Sequence, residues 1–290
     1  MSAPTTTASS VKPRFSLKRA LSGVVVNSVL WVFSISCVAP ILWMFYSTFK
    51  TRFEFDANVM ALPSALNFQN YLDIINLSPL PLYMFNTFRN TVVTLFFILL
   101  FSFINGFFIA RYGFKGRSFL YTMYMIGMLI PVHVLLIPIY ILFMNVGLLD
   151  AWYSVPLAGI SFGMPVTLFL VESYVSTIPK EIDEAAAIDG SGFSRTLFTI
   201  ILPITTPILV TAGIITFFGA WNEFVFSLIL LKNQALYTIT LGLTLLRNQY
   251  NTNYPRMITS MFVAILPAMV IYFIFAKQII KGMMSGAIKG

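Results

Sequence analysis

The polar positions along this chain fall in clusters, and between them lie long runs without Asp, Glu, Lys, Arg or His. The runs cover 20–49, 90–110, 118–132 continuing past His133 to 149, 151–171, 196–222 and 257–276. About 20 apolar residues in a helix cross the hydrocarbon core of a bilayer. A lipid-exposed backbone must satisfy its own hydrogen bonds, so each run is expected to be a helix. The pattern predicts an all-α membrane protein of six transmembrane helices, at about 21–48, 89–110, 119–143, 152–174, 204–231 and 257–277. The fifth is expected to take in Glu223 and continue to Leu231, before Lys232 stops it. A further charge-free run, 233–246, is short enough to be interfacial or re-entrant and stays outside the count.

Charge then orients the helices. With the N-terminus in the cytoplasm, the inner segments hold Lys12, Arg14, Lys18, Arg19, Arg111, Lys115, Arg117, Lys180, Arg195, Lys277, Lys281 and Lys289. The outer segments hold only Lys50, Arg52, Arg89, Lys232, Arg247 and Arg256. That excess is the positive-inside bias of a chain with both termini in the cytoplasm. The formal charge of +8 is thereby explained by topology, and no nucleic-acid partner is called for. Residues 1–19 and 282–290 are then cytoplasmic tails on a transmembrane domain of 20–281. The outer segment 50–88 fits either a docking surface for a partner or a solvated linker with aromatic anchors. A composition of 58% hydrophobic and 10% charged residues agrees with a membrane protein, since soluble domains carry about 25% charged residues. One cysteine, Cys37, and one histidine, His133, exclude disulfides and Cys/His metal clusters within the chain.

The stretch "EAAAIDGSGFSRTLFTIILP" at 184–203 departs from this apolar character. Glu172, Glu181, Asp183, Glu184 and Asp189, half of the ten acidic residues of the chain, lie in the inner segment around it. Pro179 suits a first helical position, the acids suit a helix N-terminus, and Gly190 suits the left-handed residue that closes a helix. A short helix over about 179–189 follows, then a turn, with Ser191 a candidate cap for a second helix running into the fifth span. Ile182, Ala185, Ala186 and Asp189 share one helical face, where two alanines leave room for another protein to approach. On residues alone, a docking knob and an ordinary amphipathic surface helix are both open.

Glu184-Ala185-Ala186, Asp189-Gly190 and Leu202-Pro203 resemble the EAA loop of ABC importer permease subunits. "GAWNEF" at 219–224, "PVHVLLIPIYILFMNVGLLD" at 131–150 and the terminal "GMMSGAIKG" are similar to the carbohydrate-uptake branch, the MalG-like, binding-protein-dependent inner-membrane components. The resemblance implies a type I ABC importer transmembrane fold in the bacterial cytoplasmic (inner) membrane. It implies that the loop, 175–203, is a coupling helix for an ABC ATPase dimer, with Glu184, Ala185, Ala186, Ile188, Asp189, Gly190, Leu202 and Pro203 as its residues. It further implies a second homologous permease subunit, an extracytoplasmic solute-binding protein and a carbohydrate substrate. The chain contains no GxxxxGK[ST] string, so ATP and Mg are expected on the ATPase subunits and no cofactor or catalysis here. An amino acid, phosphate or metal as cargo, or an ion-coupled secondary transporter, are the alternatives.

Within the spans, Trp221, Asn222 and Glu223 are candidates for the pathway or for a subunit interface, because an intramembrane acid is a functional hypothesis by default. His133, close after Pro131, is a candidate to bond a carbonyl freed at a kink. Gly159 and Gly163 form a small-xxx-small pair suited to close helix packing.

Overall fold

The computed structural model describes residues 17–249 and 253–287. The tail expected at 1–19 lies outside the described residues as far as residue 16, and the tail expected at 282–290 lies outside them beyond residue 287. In chain order the helices are α1 (Leu17–Ser47), α2 (Arg52–Ala57), α3 (Gln69–Asn76), α4 (Leu80–Arg111), α5 (Arg117–Leu129), α6 (Leu136–Asn145) and α7 (Ser154–Val175). They continue with α8 (Glu181–Ile188), α9 (Phe193–Arg195), a π-helical turn (Thr196–Ile201), α10 (Leu202–Trp221), α11 (Val225–Leu230), α12 (Ile239–Gln249) and α13 (Tyr254–Ala287). Among the described residues, five helical stretches are long and apolar enough to cross a membrane: Gly23–Ser47, Leu80–Arg111, Ser154–Val175, Phe193–Trp221 and Tyr254–Ile279. A sixth is bent. Arg117–Leu129 and Val132–Asn145 meet at 92°, so the third span expected over 119–143, with a kink near Pro131, is a broken pair. Pro131, in extended conformation at the break, lacks the N–H that would continue the helix.

The core is built on α4 and α7. A Cβ at Gly163 would lie 2.5 Å from Ile98 Cδ1, and one at Gly159 would lie 3.2 Å from Thr94. The small-residue pair is therefore what lets the two helices approach, as expected from sequence. At the Arg111 end of α4 the interface closes on Phe103, Phe107, Val171, Val175, Leu197 and Ile201. At the Leu80 end α4 buries a polar stripe, Asn86, Thr87, Asn90, Thr91 and Thr94. Two of these residues, Asn86 and Thr87, serve irregular backbone. Asn86 Nδ2 donates to the carbonyls of Ala235 and Tyr237, and the Ile239 N–H donates to Thr87 Oγ1. Non-helical chain is tolerated inside a membrane bundle only when the protein satisfies it in this way.

Residues 48–79 fold into a unit, so the linker alternative does not describe them. Lys50 is fully buried; its ammonium donates to the carbonyls of Asn58 and Val59 and lies over the Tyr46 and Phe55 rings. Asn70 Nδ2 donates to the Thr48 and Lys50 carbonyls, and Asp73 on α3 pairs with Arg256 on α13. In contrast, the apolar stretch of α1 presents Val24 to Phe33 almost bare.

The fifth apolar stretch departs from expectation at its far end, and at its start it joins the second helix of the loop, as the sequence suggested. It ends at Trp221, where residues 222–224 break the helix before α11. It begins at Phe193, so the second half of the expected 175–203 loop is continuous with the span. Pro203 has no N–H for the carbonyl four residues back. A π-turn over Thr196–Ile201 lies just before it, in which the Leu202 N–H donates to the Leu197 carbonyl five residues back.

Candidate coupling surface

α8 stands at the Arg111 end of the bundle, between α7 and α9. Its eight residues begin with Glu181, Asp183 and Glu184 in the first turn, where carboxylates meet the positive end of the helix dipole. Its end is closed by a Schellman motif. The Ser191 N–H donates to the Ala186 carbonyl at 2.9 Å, the Gly190 N–H donates to the Ala187 carbonyl at 3.1 Å, and Gly190 takes φ +72°. A residue with a Cβ is strained in that left-handed conformation, so the glycine sets the direction in which the chain leaves α8.

The faces of α8 are turned from the expected grouping. Ala186 is buried and Ile182 half-buried against the bundle, while Ala185 and Asp189, expected on the same face, are exposed. Glu181, Glu184, Ala187 and Ile188 are exposed with them, and Ile188 is 87% exposed. The outward surface is thus an apolar tip flanked by carboxylates. Ser191 does not cap the next helix. Gly192 holds the N-cap position of α9, and Ser191 Oγ instead accepts a hydrogen bond from Thr196.

Arg111, the last residue of α4, reaches this segment. Its Nη1 donates to the Ile178 carbonyl at 2.9 Å, Nη2 lies 3.5 Å from the Pro179 carbonyl, and Nε pairs with Asp183 Oδ2 at 2.9 Å. Beside it, Phe193 of α9 packs against Phe107, Phe108 and Tyr112 at ring separations of 5.3–6.4 Å. A cleft of about 330 Å³ opens between these rings and α8, lined by Arg111, Lys180, Asp183, Glu184 and Ser191 among others. Sequence reasoning counted Arg111 only as a topology charge. Its position at the end of a predicted span, in reach of an acidic loop, was the available signal.

The predicted site residues do not form one cluster. Glu184, Ala185, Ala186, Ile188, Asp189 and Gly190 sit on α8 and its cap. Leu202 packs into the membrane-side core, and Pro203 lies on α10 beyond the π-turn. Trp221, Asn222 and Glu223 lie near the other end of α4. Trp221 is buried and donates from Nε1 to the Ala264 carbonyl, and Asn222 bonds the Phe218 carbonyl of its own helix. The Glu223 carboxylate caps α11, accepting from the Phe226 N–H at 2.5 Å, the Ser227 N–H at 3.1 Å and Ser227 Oγ at 2.6 Å. His133 is exposed on the turn between α5 and α6 and makes no bond to a freed carbonyl among the described residues. Among the described residues no group of three or more His, Cys, Asp or Glu is placed to hold a metal.

Residues 102–280, which run from the middle of α4 through α13 and include the whole coupling surface, match the family described as "Binding-protein-dependent transport system inner membrane component". The chain belongs to that family of ABC importer permeases. Its relatives include carbohydrate-uptake permeases. A Bacillus subtilis (strain 168) protein named "Probable ABC transporter permease protein YurM" is 30% identical over 261 residues, covering 90% of this chain and 87% of that one. The arabinooligosaccharides transport system permease protein AraQ of Halalkalibacterium halodurans is 30% identical over 257 residues, covering 87% and 91%. In fold, the permease matches a chain of a bacterial ABC transporter involved in the import of the acidic polysaccharide alginate. The TM-score is 0.82 at 20% identity, over 92% of this chain and 99% of that one.

Proposed function

We propose that this permease forms half of the translocation pathway of an importer that takes up a carbohydrate delivered by an extracytoplasmic binding protein. ATP is hydrolysed on separate subunits, a second related permease supplies the other half of the pathway, and this chain performs no catalysis. The carbohydrate assignment is supported by relatives named for sugar uptake, AraQ among them. The excess of basic residues on the Arg111 side of the predicted topology supports both termini, and α8, in the cytoplasm of a bacterium with the bundle in its inner membrane.

The observation that carries the reading is the acid-flanked α8, closed by Gly190 and presenting one face outward from the bundle. Such a helix fits a cleft in an ATPase, with Glu184, Ala185, Ile188 and Asp189 on the gripped surface and Ala186 turned to the permease. Closure of the ATPase dimer then moves α8 as a rigid element, and the spans attached to it follow.

Gly190→Val tests this. A β-branched residue at φ +72° costs about 1–2 kcal/mol locally and redirects α9. The complex is co-expressed with its ATPase, second permease and binding protein, and uptake of the ligand that calorimetry identifies for the binding protein is measured. The expected outcome is normal membrane insertion with uptake lost. Unchanged uptake overturns the coupling role, and a non-sugar ligand overturns the carbohydrate assignment.

A further inference from the structure

α8 is tied covalently to α7 through residues 176–180 and to α10 through Gly190, Ser191, Gly192 and α9. Its own packing is thin. Only Ala186 is buried, Ile182 is half-buried, and the cleft opens along one flank. A helix seated so lightly would pivot under load.

Arg111 is placed to prevent that. Its side chain is 6% exposed and holds both ends of the first half of the segment: the Ile178 and Pro179 carbonyls before α8, and Asp183 in its first turn. Neither Asp183 Oδ1 nor Arg111 Nε, both buried, has a hydrogen-bond partner among the described residues, so this carboxylate is held by the charge of Arg111 at 2.9 Å and not by a directed hydrogen bond. Arg111 in turn ends α4, which is locked to α7 by the glycine contacts at Gly106, Gly159 and Gly163. On the far side, Gly190 and Gly192 have nothing within 4 Å of an added Cβ, and the π-turn follows.

We propose that Arg111 is a positioning residue that makes α8 one rigid body with α4 and α7. Force applied to the exposed face of α8 then displaces α4 and α7 together, and the bending falls in the Gly190–Gly192 turn on the way to α10. The planar guanidinium is what allows this, because it sends two donors in fixed directions to the Ile178 and Pro179 carbonyls while its charge lies beside the Asp183 carboxylate, where an ammonium acts as a point charge. This inference rests on the reading that α8 docks an ATPase.

The test is made on the assembled transporter in proteoliposomes, with ATP hydrolysis and uptake measured on the same vesicles. Arg111→Gln is expected to assemble and hydrolyse ATP close to the wild-type rate while uptake per ATP falls about tenfold, within the range that residues on a coupling route carry. Arg111→Lys, which keeps the charge and loses the fork, is expected to fall between the two. A lesion in folding alone would lower hydrolysis and uptake together, so an unchanged ratio in Arg111→Gln overturns the proposal. Should Arg111→Gln not assemble, Asp183→Asn reads the same ratio, and a proportionate loss there overturns it as well. Wild-type protein that recruits no ATPase overturns the docking reading itself, and this result is separate because it precedes any variant.

Discussion

Two acidic breaks interrupt the apolar helices of this permease, one at α8 and one at Glu223, and they use their carboxylates in opposite ways. At α8 the carboxylates of Glu181, Glu184 and Asp189 point outward, and only Asp183 is engaged by the fold. At the α10–α11 break Glu223 is consumed by its own chain. Its carboxylate caps α11 through three bonds, and its carbonyl accepts from Thr240 Oγ1 at 2.5 Å. Thr238 extends the network by donating to Ser227 Oγ. A carboxylate in an apolar chain therefore does not mark a transport site by its presence. What separates the two is whether backbone N–H groups have already claimed its oxygens.

The largest effect that would sharpen this contrast is on stability. Glu223→Ala leaves the Phe226 and Ser227 N–H groups without their acceptor, and each unsatisfied buried donor costs about 1–3 kcal/mol. Glu184→Ala removes an exposed side chain and is expected to shift stability by less than about 0.5 kcal/mol. Thermal unfolding of both variants in detergent, followed by loss of the monodisperse peak in size-exclusion chromatography, compares them directly. The contrast breaks if the two midpoints move equally.

The packing of α12 beside Glu223 offers the next largest effect. A Cβ at Gly242 on α12 would lie 2.0 Å from Cδ2 of Tyr83, and Tyr83 is itself buried among Ile74, Leu80, Ile239 and Leu246. The ring has nowhere to retreat, so Gly242→Ala is expected to destabilise by about 3 kcal/mol, the upper part of the usual range for an overpacked core. The same chromatographic assay checks it. Gly192→Ala, which has nothing within 4 Å of the new methyl, provides the matched control on the α8 side.

How much of this was legible in the sequence follows the same division. Charge-free runs located α1, α7 and the start of α13 within a few residues, and Gly190 with the acids before it located α8, because these signals are local; α13 continues to Ala287, beyond the expected end at 277. Pro131 suggested a kink in the third span, but its 92° extent was hidden, since a missing N–H does not fix the angle at which the two halves meet. The end of the fifth helix at Trp221 was hidden because a side chain, Glu223, starts a new helix there, and composition cannot show a cap. The orientation of α8 was misassigned between Ala185 and Ala186 for a related reason. Spacing groups residues on a face but does not say which neighbour the face meets. The Arg111 contacts span 67 residues or more of sequence, and no local pattern carries them.

A further acid lies between these extremes and titrates. Glu54 on α2 accepts from the Thr51 N–H in a capping box, and from the N–H and hydroxyl of Ser64, which together hold its carboxyl down at about 2 from an ordinary 4.5. A group whose pKa falls on folding stabilises the fold above its unfolded value. The contribution is therefore complete above about pH 4.5 and is lost as pH falls through about 2. Solvent screens the site, so the effect is expected to be local and small, confined to the 51–64 loop that Glu54 closes. Hydrogen exchange of the Ser64 amide should quicken between those two pH values relative to an unbonded amide, after the intrinsic acid dependence of exchange is removed. Glu54→Gln should exchange at one corrected rate across the window, because its amide side chain has no proton to gain. A corrected Ser64 rate that is equally flat with Glu54 in place would show that this carboxylate, like those of Glu181, Glu184 and Asp189 on α8, is not held by the fold.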